Sequence, residues 1–393
     1  MNDQDVIKGV IQKLKEAGAD KSQCFLSNQE FKELNVDSGE MSLFRTTFDT
    51  SLNITAIKSN KKASLSINKL DDESIKQAVI DIMKLVESSP PDDANEISDN
   101  QEVLNIDKGP KNANLDIMYS KLENYLKYVR TTYPKTMIEQ AMLKFINNKT
   151  TYLNSNGVNF SSRSGRYGFM STMISKEGKI SSSMSGSGFV NRSLDKDLHQ
   201  YSSIDQKLDY SQKQIHTKTI PEKFTGEVII APDCLGDFVG FIISSISDMS
   251  MINQTSIYKN KLEKEITNPI FSLHSMPTSD QIQENYFFTN DGFKAKDITI
   301  VNKGKLKTFL LSLYGSKKTG LKKALNSGGC YIIDKGKTNY NDMIQNIDRG
   351  LLVTRFSGGN PSDSGDFSGI AKNSFYVKDG KIDYAISETM ISG

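Results

Sequence analysis

At 393 residues the chain is longer than the ~250–300 residues at which a single core stops growing, so two or three domains are expected. Hydrophobic residues make up 37% and charged ones 24%, which excludes a disordered chain; 49 Lys plus Arg against 47 Asp plus Glu leave a net charge of +2 and no reason to expect nucleic acid as a ligand. Three histidines and three scattered cysteines (Cys24, Cys234, Cys330) scarcely supply one zinc site and argue against a disulfide framework.

Met1-Asn2-Asp3-Gln4-Asp5 lacks the basic start of a signal peptide. Val6, Ile7, Val10, Ile11, Leu14 and Ala17 then repeat at helical spacing, with Gly18 as C-cap. Short strands are expected at Gln23–Leu26 and Glu33–Val36, a turn at Asp37-Ser38-Gly39, and a strand at Leu52–Ile57 folded by Asn60-Lys61-Lys62 onto Ala63–Ile67. Asp71–Glu87 reads as a second helix, its acidic residues at the positive N-terminal end, and Ser88-Ser89-Pro90-Pro91-Asp92-Asp93 as the first boundary. Leu115–Arg130 is a third helix, and Thr136–Phe189 reads as antiparallel sheet with turns at 147–149, 154–157 and 176–179. The Ser/Gly-dense piece from Ser181 to Gly188 fits an exposed strand or loop, and a polar helix over Leu194–Gln214 leads to a second boundary at Pro221. Glu227–Pro232 reads as a buried strand, Asp233 as the cap of the next helix, and Asn302–Lys305 and Lys378–Lys381 as hairpins. The longest aliphatic and aromatic stretch, Phe238 to Ile243, is interrupted by Gly240, so no membrane span and a reducing, cytoplasmic setting are expected. The class is α+β, predominantly antiparallel sheets with packed helices. Its N-terminal portion is of α/β type and its C-terminal domain sheet-rich, divided at 1–95, 96–220 and 221–393.

His199, His216 and His274 show no H-x-x-x-H spacing and no local carboxylate set, so no metal is assigned to this chain. No G-x-S-x-G elbow exists, and no catalytic residue is assigned. Ser185-Gly186-Ser187-Gly188 lacks a third glycine and reads as a turn; Arg163, Arg166 and Arg192 beside Tyr167 and Phe169 read as a solvated sheet face. Denser in signal is Phe356-Ser357-Gly358-Gly359-Asn360-Pro361-Ser362-Asp363-Ser364-Gly365-Asp366-Phe367-Ser368-Gly369. Its glycines, Asn-Pro step and Asp/Ser groups describe either a folded loop whose amides hold an extended ligand or another chain, or a structural turn between core strands.

That loop, running on through Ala371–Val377 and Asp379-Gly380-Lys381-Ile382 to Ile391-Ser392-Gly393, resembles the C-terminal signature of the TldD/PmbA family, in which PmbA is also called TldE. Ala17-Gly18-Ala19-Asp20, Ser88-Ser89-Pro90-Pro91-Asp92, Asn154-Ser155-Asn156-Gly157 and Arg349-Gly350-Leu351-Leu352-Val353-Thr354 fall in the family's order, so the resemblance spans nearly the whole chain. It implies a cytosolic member of a metallopeptidase pair, historically described as a modulator of DNA gyrase, whose TldD-type subunit holds zinc through an H-E-x-x-x-H helix and a distant cysteine. The comparable helix here, Asp233-Cys234-Leu235-Gly236-Asp237-Phe238-Val239-Gly240-Phe241, has no histidine, so the chain resembles the PmbA/TldE-type subunit. The resemblance implies a non-metal-binding subunit acting on small or unfolded peptides, with zinc in a TldD-type partner and none here, or else a homodimer. Gly359, Asn360, Gly365, Asp366, Phe367 and Ser368 are the expected contacts to an extended peptide or to the partner. A stand-alone binding or regulatory factor for a peptide or a gyrase inhibitor is the alternative.

Overall fold

The computed structural model describes residues 2–358 and 366–393. Helix α1 (Asp3–Glu16) buries Val6, Ile7, Val10 and Leu14 on one stripe, and Gly18, at φ +90°, turns the chain out of it. β1 (Lys21–Asp37), β2 (Glu40–Lys58) and β3 (Lys61–Ile67) are joined by Ser38-Gly39 and Ser59-Asn60, all four at positive φ as tight hairpins demand. After α2 (Asp72–Ser88), capped by Asp71, come β4 (Leu104–Lys108), α3 (Leu115–Thr132), β5 (Thr136–Asn154), β6 (Asn159–Glu177), β7 (Ile180–Ser181) and β8 (Ser185–Asn191). One sheet holds all eight strands in the order β3-β2-β1-β5-β6-β4, with β7 and β8 paired to β6. One face is helical: α1 and α2 cover Leu26, Leu52 and Ile54, while α3 and α4 (Ile204–Lys213) cover Leu143, Phe145 and Phe169. On the opposite face Phe25, Tyr152 and Phe160 pack against Phe287 and Phe288 at one end, and at the other end Leu43 and Met170 are exposed among the described residues.

Beyond α4, β9 (Glu227–Ile230) leads into α5 (Pro232–Ser245) and α6 (Asp248–Ile252). These helices pack on a sheet of β10 (Leu273–Ser275), β11 (Ile298–Asn302), β12 (Lys305–Leu306) and β13 (Tyr331–Ile333) around Val239, Ile246, Met251 and Leu273. After α7 (Leu313–Thr319) and α8 (Tyr340–Gln345), β14 (Arg349–Val353) runs parallel to β9 and antiparallel to β17 (Phe375–Lys378), which pairs with β18 (Lys381–Ala385). A last sheet joins β15 (Arg355–Gly358), β16 (Ser368–Lys372) and β19 (Thr389–Ser392). The class is α+β, antiparallel but for the pairs β4·β6 and β9·β14 among the described residues. No helix among them is long and apolar enough to cross a membrane.

An ionic clamp ties the segment after α2 to α7. Asp92 accepts from Tyr314 Oη at 2.8 Å and Lys318 Nζ at 3.0 Å, and Glu96 meets Lys317 Nζ at 3.1 Å as well as Lys21. Partial burial raises the Glu96 pKa, but hydrogen bonds from Lys21, the Ile97 N–H and Lys317 outweigh it and bring the carboxyl down to about 2.

Several sequence expectations are corrected. Gln23–Leu26 and Glu33–Val36 belong to one 17-residue strand, and 147–149 do not turn but run through the middle of β5. Both follow from pairing on two sides: Asn148 sits between Gln29 and Ser164, and its side-chain oxygen accepts from Ser27 Oγ at 3.1 Å. The helix expected over Leu194–Gln214 is a single 3-10 turn at Leu198–Gln200 followed by α4. β9 is an edge strand with Val228 exposed, because only β14 lies beside it. Asp233 does not cap α5: Ala231 is the N-cap, Pro232 opens the helix, and the Asp233 carboxylate is drawn away to α4.

Candidate functional site

The glycine-rich segment leaves and rejoins the body through β15 and β16, whose register sets Gly358 opposite Gly369. A Cβ on either glycine would collide with the Phe356 ring, so these two positions admit the ring only because they have none. Phe356 lies 5.0 Å from Phe238 of α5 and 6.0 Å from Phe367, and Phe238 to Phe367 is 5.4 Å, a three-ring cluster that fixes the base of the loop to the helix. The Phe367 N–H donates to the Gly393 carbonyl at 2.8 Å and its carbonyl accepts from Gly393 N–H at 3.1 Å. Of the residues singled out in the sequence, Gly359, Asn360 and Gly365 lie outside the described residues. Asp366 is exposed, Phe367 is half-buried in the ring cluster, and Ser368 is exposed at the start of β16, opposite Ser392.

Behind the loop a buried lysine joins three elements. Lys207 of α4, only 6% exposed, donates to the Thr354 carbonyl at 2.8 Å and lies 3.2 Å from Asp233, which also accepts from Ser203 Oγ at 2.8 Å. Thr354 Oγ1 in turn donates to the Asn373 carbonyl at 2.5 Å, and Gln214 donates to the Ser374 carbonyl at 2.8 Å. Nothing in the sequence marks Lys207, one lysine in a polar stretch, for this place.

On its other flank the loop's base meets the end of the large sheet at which Leu43 and Met170 are exposed. The Met184 carbonyl accepts from Arg355 at 2.9 Å and from Asn373 Nδ2 at 3.4 Å. The Met184 side chain borders a hollow of about 460 Å³ with Asp37, Gln140 and Thr172; Asp37 and Gln140 continue into a second, of about 300 Å³, lined by Asn35, Leu43, Met142 and Met170. The register explains the row, since Leu43, Asn35, Met142 and Met170 lie directly opposite one another across β2, β1, β5 and β6. Together they form a trough with Leu43 and the unbranched, adaptable Met142 and Met170 on its floor and the unpartnered Asn35 amide nitrogen beside them. A broader hollow of about 1000 Å³ between β3 and α2 shares no residue with this trough or with the loop.

Metal binding does not suit the donors present. Cys234, on the helix that follows β9, turns its thiol inward to the Val353 carbonyl at 3.2 Å, and burial pushes its pKa up to about 11. The three histidines are apart: His199 stacks on Tyr128 at 3.8 Å, His216 meets Glu177 at 3.0 Å, and His274 meets Asp334 at 3.1 Å. Among the described residues no group of three His, Cys, Asp or Glu side chains comes together. The arginines are engaged within the chain, Arg163 with Asp107 and the Pro110 carbonyl, Arg166 with Glu284, and Arg192 with Asn285.

Residues 223–393 match the PmbA/TldA metallopeptidase C-terminal domain. Over 370 residues the chain is 25% identical to a protein of Haemophilus influenzae called a metalloprotease PmbA homolog, covering 88% of this chain and 78% of that one. Its fold superposes on TldE from Thermococcus kodakarensis with a TM-score of 0.84 at 18% identity, over 99% of this chain and 91% of that one. It also superposes on a Bacteroides thetaiotaomicron protein named for a suggested role as modulator of DNA gyrase, with a TM-score of 0.87 at 17% identity, over 99% and 90%.

Proposed function

We propose that the chain is a PmbA/TldD-type protein, on the match of residues 223–393 and the likeness to PmbA homologs, and that it is the non-metal-binding subunit of a two-chain cytoplasmic peptidase that acts on small or unfolded peptides. The observation that carries this reading is α5. The helix after β9 has no histidine, its thiol is buried against Val353, and its first carboxylate is held by Lys207 and Ser203. The polarisation of a peptide carbonyl and its attacking water that zinc provides would be supplied by the TldD-type partner and not by this chain's residues. This chain's residues hold the peptide extended. Leu43, Met142, Met170 and Met184 take side chains without a fixed shape, the Asn35 amide and the Asp37 and Gln140 side chains meet the backbone, and Asp366 and Ser368 are further polar contacts to it.

The test is to measure zinc content and peptide cleavage for this chain, for a TldD-type chain of the same organism, and for the two mixed. This chain alone is expected to bind no zinc and cleave nothing, with cleavage appearing on mixing. One equivalent of zinc with cleavage by this chain alone overturns the reading, and so does the absence of any complex on mixing.

A further inference from the structure

Four of the chain's 14 methionines stand on the face of the large sheet that turns away from the helices. Ile138, Leu143, Phe169 and Met173 belong to the core under α3 and α4, so by alternation their neighbours Met137, Met142 and Met170 point the other way. Met184, just ahead of β8, joins them beside Ile174. Met137 is 45% exposed, and Met170 and Met184 are each 55% exposed. Strands favour β-branched and aromatic residues, so four thioethers on one open face run against propensity. No aromatic residue lines either hollow of the trough among the described residues. Charge sets a second constraint. The Asp37 and Glu139 carboxylates border the trough and form no ion pair among the described residues, while Arg45 is engaged with Glu33 and Arg355 with the Met184 carbonyl.

We propose that the trough selects extended peptides by their aromatic side chains, which it seats on the methionine sulfurs, and that it turns acidic segments away. This rests on the peptide-holding role given to the trough above and names which peptides fill it. A thioether attracts a ring, its sulfur often lying at the ring edge, and a saturated side chain of the same size does not share that attraction. Carboxylate oxygens also meet the positive rim of a ring favourably, whereas they repel an acidic side chain. The hollows, of about 460 and 300 Å³, each exceed the ~150 Å³ that admits a benzene molecule, so each has room for one ring. The floor is uncovered where the rings would lie, because β8 sets Gly186 opposite Thr172 and Gly188 opposite Met170 and so places no side chain beside either.

The experiment measures binding of short dye-labelled Gly/Ser peptides by fluorescence anisotropy, to the full chain alone and, with zinc withheld, to its mixture with a TldD-type chain. One peptide carries two Phe, the second two cyclohexylalanines and the third two Glu. Apolar burial by itself ranks the saturated ring at least equal to Phe. The thioether floor is expected to bind the Phe peptide about threefold more tightly or better, and the Glu peptide about tenfold more weakly than Phe or worse. Met142→Leu, Met170→Leu and Met184→Leu together keep the apolar volume and are expected to bring the Phe and cyclohexylalanine peptides to equal affinity, with both still bound. Asp37→Asn with Glu139→Gln is expected to recover most of the loss for the Glu peptide. A cyclohexylalanine peptide bound as tightly as the Phe peptide, or a Phe preference that survives the three leucines, overturns the aromatic selection and leaves the trough as a peptide site. A Glu peptide bound no better after Asp37→Asn and Glu139→Gln overturns the selection by charge. Binding of none of the peptides, or binding that Met170→Asp does not weaken, overturns the peptide reading of the trough and this inference with it.

Discussion

Lys207 shows how one buried side chain holds a site it does not enter. Its ammonium satisfies the Thr354 carbonyl and the Asp233 carboxylate, so Lys207→Met leaves the carbonyl without this donor and the carboxylate with Ser203 Oγ but no counter-charge. Asp233 stays partly hydrated, and the expected cost is therefore about 2 kcal/mol, below the ~3–5 kcal/mol of a fully buried broken pair. Native-state hydrogen exchange reads it: amides of α4 and β14 are expected to lose protection while those of α1 keep theirs. Unchanged protection in β14 would remove Lys207 from this role. Met170 makes the complementary point in the trough, being 55% exposed and touching no core. Met170→Asp should leave thermal stability alone and raise KM for peptide in the mixed assembly by about tenfold, since a carboxylate there must be desolvated under the peptide. An unchanged KM would move the peptide elsewhere.

At the scale of elements the clamp between Glu96 and α7 carries a pH dependence whose sign follows from its depressed pKa. Glu96 holds its proton less tightly when folded, so the stabilisation is complete above its ordinary value of 4.5 and is lost as pH falls toward about 2. Glu96→Gln should flatten the stability curve in that window, removing on the order of 1–2 kcal/mol at pH 6, with both chains alike near pH 2. Parallel slopes for the two chains would assign acid sensitivity to other carboxylates. The elements themselves were unequally legible. α1 and α2 could be read because each buries one stripe at period 3.6 and has a cap or a glycine at its end. The interior of β5 could not, because Asn147-Asn148-Lys149 is turn chemistry that two flanking strands override. Asp233 misled for a related reason: it has a capping residue's chemistry but a stronger partner in Lys207.

Over the whole molecule, the site divides into a part that one stretch of sequence announces and a part that no stretch does. Glycine density in Phe356–Gly369 marked the loop, and the ring cluster of Phe238, Phe356 and Phe367 supplies its physical anchor. The trough was hidden because Leu43, Asn35, Met142 and Met170 sit on four strands as single members of alternating patterns, and only register brings them into one row. Leu43 and Arg45 belong both to this trough and to the outer strand β2, so the trough opens at the margin of the large sheet.

The three cysteines, first of interest only for what they could not build, order themselves by access. Cys24 and Cys234 are buried and Cys330 is half-exposed, with burial raising the pKa of all three. A thiol-reactive dye at mildly alkaline pH therefore enters at Cys330, whose sulfur lies against the Glu284 carbonyl beside the Glu284–Arg166 bridge between the large sheet and the C-terminal sheets. The folded chain thus offers a single natural labelling position at the junction of its two halves, and uptake of a second and third dye becomes a clock for opening of the cores around Cys234 and Cys24.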